Sequence, residues 1–278
     1  MASAGWAAEL KRLTASAWLL GLACATLLAA QPAAAELRVH AAGSLRAAIT
    51  DSAAAFEAAH PGTQSRLTFG ASGLLKDRIA AGEASDVFAS ANMTHPEALA
   101  QTGRAGPVQR FARNAICALA RPGLDLTPDN LVQRLLDPTL KLGMSTPRAD
   151  PAGDYALQVF DRIEQSGVRG AAATLAAKAL QLTGGPNSPA APADRNVYGL
   201  LVAQGAADLF LTYCTNTGAA AREQAGQRSL PLPEAIDVSA SYGVTVITGA
   251  PPQAQDFVDF LLSPAGQAVL ARHGFAPR

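Results

Sequence analysis

The sequence between residues 37 and 91 repeats one local pattern: a short apolar strand, a turn that carries serine, and a helix. Residues 37–42 are a predicted strand, Gly43-Ser44 is a turn, and residues 45–59 place apolar side chains at helical spacing. The pattern continues with a strand, a helix and a strand over residues 65–69, 74–81 and 86–91. This alternation predicts a parallel α/β sheet, in which ligands bind outside the carboxyl ends of the strands.

The same alternation returns in the second half of the chain after a long middle segment. Strands are predicted over residues 115–120, 209–213 and 242–247, helices over 155–164, 197–204, 256–261 and 264–272, and an exposed loop over 183–193. Two α/β lobes joined by crossing strands account for this distribution. The predicted division is 36–115 for the first lobe, 116–240 for the second and 241–278 for a return to the first.

The first 35 residues have the organisation of a secretory signal peptide. Lys11-Arg12 is a basic region, residues 15–30 are apolar and uncharged, and small residues precede Glu36. We therefore expect residues 1–35 to be removed by cleavage after Ala35. Lipidation at Cys24 is the alternative. No later segment has the roughly 18 unbroken apolar residues of a membrane span.

The charge balance and the motifs argue against several classes of function. The chain has 22 basic and 22 acidic residues, so its formal net charge is zero. It therefore lacks the excess positive charge with which proteins bind nucleic acid or an anionic membrane. The sequence has no Walker or dinucleotide motif and no G-x-S-x-G, and its histidines show no metal-ligand spacing. We therefore predict that it is not an enzyme, although an enzyme on the same fold remains the most distant alternative.

Two of the serine-bearing turns are candidates for anion binding. Ser44 and Ser72 each lie where a predicted strand gives way to a helix. The first N–H groups of a helix are unpaired and carry partial positive charge, so a helix N-terminus binds an anion without a formal cation. The alternative is that each serine only caps its own helix.

After removal of the signal peptide two cysteines remain, Cys117 and Cys214. In an oxidising compartment they are expected to form a disulfide. Two separate buried thiols are the alternative.

Four segments together resemble the periplasmic molybdate-binding proteins of ABC importers. They are HAAGSLRAA, TFGASGLLKDRIAAGEASDVFASA, DPAGDYA and LLSPAGQAVLARHGFA. The resemblance covers nearly all of the chain after the signal peptide. It implies a two-lobed type II fold with a mostly parallel, helix-flanked sheet in each lobe. It also implies a periplasmic protein, expected to be monomeric, with molybdate or tungstate as its ligand, no cofactor, and an ABC permease as its partner.

The resemblance also implies a set of neutral hydrogen-bond donors around the oxyanion. By position in the matching motifs these are Ser44, Ser72, Ala152, Asn196 and Tyr213. The serines and the tyrosine would donate hydroxyl protons, and Ala152 and Asn196 backbone protons. Arg195 is the alternative to Asn196, because the alignment there is uncertain by one residue.

Two features of the sequence are compatible with ligands other than molybdate or tungstate. Asp150 and Asp154 flank the second-lobe turn, and carboxylates facing a dianion would repel it unless they cap the helix or point to solvent. Another anion is therefore an alternative. Ferric ion is a second one, because the four tyrosines all lie in the second half: Tyr155, Tyr198, Tyr213 and Tyr242.

Overall fold

The computed structural model describes residues 35–189 and 195–278. Within them the strands are β1 Ala35–Ala42, β2 Thr63–Gly70, β3 Val87–Ser90, β4 Gln109–Ala120, β5 Leu142–Ser145, β6 Leu180–Thr183, β7 Leu209–Tyr213, β8 Arg228–Pro231 and β9 Ser239–Val246. The helices are α1 Arg46–Ala59, α2 Ser72–Ala80, α3 Thr94–Gln101, α4 Leu131–Leu136, α5 Pro151–Gln165, α6 Ala171–Lys178, α7 Val197–Ala203, α8 Cys214–Glu223, α9 Pro252–Leu262 and α10 Pro264–Arg272. Short 3-10 helices cover Gly43–Leu45 and Glu234–Ile236.

The strands form one continuous path in the order β2-β1-β3-β9-β4-β7-β5-β6, with β8 also paired to β4. At one end β1 runs parallel to β2 and β3, and at the other β5 runs parallel to β6 and β7. The pairs that involve β4 or β9 are antiparallel. The predicted α/β class with mostly parallel sheets is confirmed. We call β1–β3 with α1–α3, α9 and α10 the first lobe, and β5–β8 with α4–α8 the second.

The long strand β4 belongs to both lobes. Its residues Gln109 to Ala115 pair with β9, whereas Ile116 to Ala120 pair with β7. The sequence predicted only residues 115–120 as a strand, because the preceding segment carries Arg110, Arg113 and Asn114. Those polar side chains are tolerated because Arg110 and Arg113 are exposed and Asn114 is hydrogen-bonded. Strands β4 and β9 cross between the lobes.

Aromatic packing joins the late helices to the first lobe. Phe56 of α1 is fully buried, with its ring centroid 5.3 Å from that of Phe257 in α9. Burying side chains of this size supplies about 1.5–3 kcal/mol each. The chain therefore returns to the first lobe after β9 and completes its core.

The C-terminal residues pack against the crossing strands. Phe275 lies edge-on to Tyr242 of β9 with ring centroids 5.4 Å apart. Arg113 of β4 and Ala276 exchange two backbone hydrogen bonds of 2.9 Å each. The side chain of Arg113 also donates to the carbonyl oxygen of Pro277 at 2.9 Å.

Several boundaries differ from the sequence prediction. Helix α2 begins at Ser72 rather than residue 74. Helix α5 begins at Pro151 rather than 155, because Pro in the first turn fits a helix without a lost hydrogen bond. Thr183, predicted as part of an exposed loop, ends β6 and is buried. Helix α8 was missed, because its polar start Thr215-Asn216-Thr217 is typical of a turn.

The predicted signal peptide falls outside the described residues, apart from Ala35, which is the first residue of β1. The part of the predicted loop at 190–194 also lies outside them. Among the residues that are described, none of the helices has the length and apolarity to cross a membrane.

Candidate functional site

The serine-bearing turns lie at the carboxyl ends of neighbouring parallel strands. Ser44 follows β1 in the 3-10 turn, and Ser72 follows β2 as the first residue of α2. Ala91 follows β3 directly. Because β1 is paired in parallel with both β2 and β3, these three positions share one edge of the sheet. This is the edge at which α/β sheets bind ligands.

Ser72 and Tyr213 meet at the peptide groups of Ala91. The hydroxyl oxygen of Ser72 accepts the N–H of Ala91 at 3.1 Å, and the Tyr213 hydroxyl donates to the Ala91 carbonyl at 3.4 Å. Both side chains are 1% exposed. Since the Ser72 oxygen already accepts a bond, its own proton remains available as a donor. The contact also brings β7 of the second lobe to the end of β3.

A disulfide fixes the position of Tyr213. Tyr213 is the last residue of β7 and pairs with Ile116 of β4. The next residue, Cys214, is bonded to Cys117 of β4, with the two Cα atoms 4.8 Å apart. The phenol therefore projects from a strand held to β4 both by its ladder and by a covalent bond.

Tyr213 is the centre of a group of three tyrosines. Its ring centroid lies 6.2 Å from that of Tyr155 and 5.4 Å from that of Tyr242. The Tyr242 hydroxyl is 3.0 Å from the Ser44 hydroxyl. Burial raises the pKa of all three phenols above the ordinary value. They therefore remain protonated and act as neutral hydrogen-bonding groups.

Sequence reasoning missed Tyr242 and Asn114 as parts of this site. Tyr242 was named only as a strand residue and as one of the four tyrosines of the ferric-ion alternative, yet it contacts Ser44 across a separation of 198 residues. Asn114 of β4 lies 3.4 Å from the same phenol oxygen. The signal in the sequence was weak, because Asn114 lies in the polar first half of β4 and Tyr242 follows Ser241 in β9. Tyr198, by contrast, packs on Phe210 with centroids 5.1 Å apart.

The backbone N–H of Ala152 is engaged by the residue that precedes the helix. Asp150 is the N-cap of α5, and its carboxylate accepts the Ala152 N–H at 3.1 Å. Burial raises the pKa of Asp150. Asp154 accepts the N–H of Arg148 at 2.8 Å. Both carboxylates therefore accept hydrogen bonds from nearby backbone N–H groups. Asp150 accepts from the Ala152 N–H, which the family resemblance assigns as a donor to the ligand.

Asn196 makes its contacts with the neighbouring helices. Its backbone N–H donates to the carboxylate of Glu223 at 2.7 Å, and its side-chain oxygen caps α7 by accepting the N–H of Gly199 at 2.9 Å. The side chain of Arg195 reaches the same carboxylate at 2.6 Å. In this arrangement the Asn196 N–H thus donates to α8 and not to a ligand beside Ser44, Ser72 and Tyr213.

The two lobes touch beside Ser72. The N–H of Gly73 in α2 donates to the carbonyl oxygen of Ala149 at 2.9 Å. Arg148 has a φ of 67°, in the left-handed region that is unusual for a residue other than glycine. This turn lies against the first turn of α2, so the site is bounded by both lobes.

One cavity lies away from this edge, and the described residues offer no metal-ligand cluster. Over residues 35–189 and 195–278, no group of three or more His, Cys, Asp and Glu side chains is placed to hold a metal ion. A cavity of about 350 Å³ is lined by residues that include Gly106, Val246 and Gln255. Val246 pairs with Val87, the first residue of β3, so this cavity lies at the opposite edge of the sheet.

Comparison with known families places the chain among transport proteins. The family described as bacterial extracellular solute-binding protein matches residues 37–276. An uncharacterised protein of Pasteurella multocida (strain Pm70) is 37% identical over 243 residues, which is 87% of this chain and 98% of the relative. The molybdate-binding protein ModA of Mycobacterium bovis is 27% identical over 250 residues, covering 86% of this chain and 83% of that protein.

Among solved structures, the sulfate-binding protein SubI of Mycobacterium tuberculosis H37Rv is similar with a TM-score of 0.73. The two chains are 18% identical, and the similarity covers 87% of each. At this level of identity the likeness establishes a common fold. The predicted type II periplasmic-binding-protein fold is confirmed.

Proposed function

Because this chain belongs to the family of bacterial extracellular solute-binding proteins, we propose that it captures molybdate or tungstate between its lobes for uptake. It is the solute-binding component of an ABC transporter and works with that transporter's membrane permease. The proposed ligand is a tetrahedral oxyanion. The protein itself is proposed to be a periplasmic monomer after cleavage behind Ala35.

The observation that supports this ligand most is the group of hydroxyls on the carboxyl edge of the sheet. Ser44 and Ser72 follow two different strands and Tyr213 ends a third, yet contacts through Tyr242 and Ala91 connect them. Hydroxyl donors stabilise an anion by about 1.5–3 kcal/mol each when the acceptor is charged. Neutral donors also leave the ligand-free protein without an unpaired buried charge, so a dianion can be bound and released.

Ligand capture in this proposal requires two backbone donors to exchange partners. The Ala152 N–H would turn from the Asp150 carboxylate to the oxyanion, and the Asn196 N–H from the carboxylate of Glu223. The Tyr213 hydroxyl would likewise leave the carbonyl of Ala91. Relative movement of the two lobes about β4 and β9 would separate Tyr213 from Ala91, whereas the exchanges at Ala152 and Asn196 are local to the second lobe. The ligand would then stabilise the closed form.

Molybdate and tungstate are preferred over other anions because of a molybdate-binding relative and the neutral hydrogen-bond donors of the site. A molybdate-binding relative matches 86% of the chain, whereas the sulfate-binding neighbour shares only the fold. Another unprotonated tetrahedral anion is therefore the second candidate. Ferric ion is disfavoured, because burial raises the pKa of Tyr155, Tyr213 and Tyr242 and so favours neutral phenols over phenolates.

A thermal-shift scan of the mature protein tests this proposal. Molybdate or tungstate at a thousandfold over its dissociation constant is expected to stabilise the protein by about 4 kcal/mol. For a chain of this size the unfolding midpoint rises by about 8–16 °C. Sulfate, phosphate and ferric citrate serve as comparison ligands. No shift with either metal oxyanion would reject the proposed ligand while leaving the fold and family intact.

Site variants then test the binding mode by titration calorimetry. Ser72→Ala and Tyr213→Phe should each weaken molybdate binding by roughly 10- to 100-fold, because each removes one hydroxyl donor to a charged ligand. Tyr198→Phe is the matched control, because it removes a phenol hydroxyl whose partners are Thr212, Ser145 and Thr183 of the second lobe rather than Ala91. Equal affinities for Tyr213→Phe and Tyr198→Phe would contradict the assignment of Tyr213.

A further inference from the structure

A buried chain of polar side chains crosses between the lobes behind Ser44. The Tyr242 hydroxyl lies 3.0 Å from the Ser44 hydroxyl, and the Asn114 side-chain nitrogen lies 3.4 Å from the same phenol oxygen. That nitrogen also donates to the Thr215 hydroxyl of α8 at 2.9 Å. Tyr242 is fully buried and Asn114 is 6% exposed, so solvent does not compete for these bonds.

The orientation of the Asn114 amide group determines which group donates and which accepts in these hydrogen bonds. Its side-chain oxygen accepts the backbone N–H of Ala115 at 2.9 Å. A backbone N–H can only donate, so the amide oxygen must face it and the NH₂ group must face Tyr242 and Thr215. The amide nitrogen carries protons and no acceptor site. The phenol oxygen of Tyr242 therefore accepts from Asn114.

The phenol proton of Tyr242 then has two neighbouring acceptors, the hydroxyl oxygens of Ser44 at 3.0 Å and of Tyr213. Donation to Ser44 is the arrangement inferred here. With that acceptor position filled, the proton of Ser44 must point away from Tyr242. Ser44 is only partly buried and follows β1 at the ligand-binding edge. A hydroxyl held in this way presents a donor and not a lone pair.

We propose that Tyr242, oriented by Asn114, is a positioning residue that fixes Ser44 as a hydrogen-bond donor and so selects fully deprotonated oxyanions. This inference rests on the proposed function of the site as an oxyanion receptor. A ligand oxygen that carries a proton would face the Ser44 proton without an acceptor, and an unmatched polar contact in a closed site is disfavoured. Molybdate, tungstate and sulfate satisfy the donor, whereas singly protonated phosphate does not.

The test is a comparison of three dianions with wild type and Tyr242→Phe by titration calorimetry at about pH 8. At this pH phosphate is mainly the singly protonated dianion, so it matches sulfate in charge and shape but carries one proton. Tyr242→Phe should weaken molybdate binding by about tenfold, because Ser44 can then rotate. The preference for sulfate over phosphate should shrink in the variant by a similar factor. A purely structural role would lower the affinities for sulfate and phosphate equally.

Two double-variant comparisons identify the acceptor of the Tyr242 proton. The effect of Tyr242→Phe should vanish in a Ser44→Ala background and persist in a Tyr213→Phe background. The opposite result would assign the proton to Tyr213 and overturn the inference. Thermal unfolding midpoints of all variants establish that each is folded.

A second substitution, Asn114→Asp, reverses donor and acceptor in the hydrogen bonds between Asn114, Tyr242 and Ser44. The carboxylate of Asn114→Asp can only accept, so Tyr242 would donate to it and Ser44 would have to donate to Tyr242. The preference for sulfate over phosphate should fall further than in Tyr242→Phe. Because both anions are dianions, repulsion by the new charge acts on both. An unchanged preference in both variants would overturn the inference.

Failure of the proposed function gives a different result. If the wild type binds sulfate but neither metal oxyanion, the proposed ligand is wrong and the Tyr242 comparison still applies to sulfate and phosphate. If the wild type prefers phosphate, the selection by Tyr242 is wrong whatever the metal oxyanions do. Binding of none of these anions would overturn both.

Discussion

The backbone N–H of Gly73 donates to the carbonyl oxygen of Ala149 at 2.9 Å, which joins the first turn of α2 to the loop before α5. No side chain fits between these two segments. A Cβ atom at Gly73 would lie 2.4 Å from the carbonyl oxygen of Arg148 and 2.7 Å from that of Ala149. The lobes approach this closely only because residue 73 is glycine.

Gly73→Ala should therefore hinder closure and weaken ligand binding at least tenfold, a loss of about 1.4 kcal/mol. Alanine is the better helix former by about 1 kcal/mol, so the helix itself should not be weakened. Calorimetry measures the affinity. Gly218→Ala in α8 is the matched control, because its new methyl group would meet only the side chain of Arg222 at 3.5 Å. Equal affinities for both variants would contradict the steric argument.

Replacement of both cysteines should destabilise the protein. The Cys117–Cys214 disulfide joins residues separated by 97 positions, so its loss frees a long loop in the unfolded chain. Double substitution to serine should lower the free energy of unfolding by about 2–5 kcal/mol, measured by denaturant titration. Reduction of the wild type should reproduce the change. Because Tyr213 precedes Cys214, the variant should also bind molybdate more weakly.

Asp150→Asn should tighten the binding of a dianion. The substitution removes a carboxylate from the N-terminus of α5 but keeps a side chain that can cap the helix. Relief of like-charge repulsion of about 1 kcal/mol corresponds to roughly fivefold tighter binding. Asp161→Asn, an exposed position on the same helix, is the control for the change in net charge.

The pH dependence of binding provides a second check on Asp150. Burial raises the pKa of its carboxyl group, so the group becomes protonated at a higher pH than an exposed aspartic acid. Wild-type affinity for an anion that is not itself protonated, such as sulfate, should rise as the pH falls through this transition. Asp150→Asn should lack that rise. The same pH profile for both proteins would exclude repulsion by Asp150.

Glu83 should contribute to stability only above its titration range. Hydrogen bonds from Arg78 and then His40 lower the pKa of Glu83 from the ordinary 4.5 to about 2. A lowered pKa means that the ionised form stabilises the fold. The stability difference between wild type and Glu83→Gln should be complete above pH 4.5 and disappear as the pH falls towards 2.

Thermal midpoints across this pH range measure the effect of Glu83. Asp256→Asn, at an exposed position of α9, controls for the loss of a surface carboxylate. A difference between wild type and Glu83→Gln that does not change with pH would show that the ion pair with Arg78 is not its source.

The sequence predicted the parts of the site that depend on local pattern. Ser44 and Ser72 could be placed because both follow strands of one parallel sheet, whose carboxyl ends necessarily share an edge. The end of β7 at Tyr213 could be predicted from a run of strand-forming residues, but its role as a donor came from the family resemblance. Strand–turn–helix alternation was sufficient for the positions of the two serines.

The remaining parts depend on which strands pair across long separations. The position of Tyr242 beside Ser44 requires β9 to insert between β3 and β4, which no local pattern specifies. Asn114 lies in the segment of β4 whose polar residues concealed the strand. The N–H groups of Ala152 and Asn196 could be named from the family resemblance, but their capture by Asp150 and Glu223 depends on side-chain geometry.

The packing of Phe275 and Ala276 on the crossing strands bears on the order of folding. The bond between the side chain of Arg113 and the carbonyl of Pro277 spans 164 residues, so it forms only after a very large loop has closed. A growing chain can build the β1–β3 sheet early, but it cannot complete the region around Tyr242 until residues near 275 are available. Final assembly of the proposed oxyanion site therefore waits until residues near 275 have been synthesised.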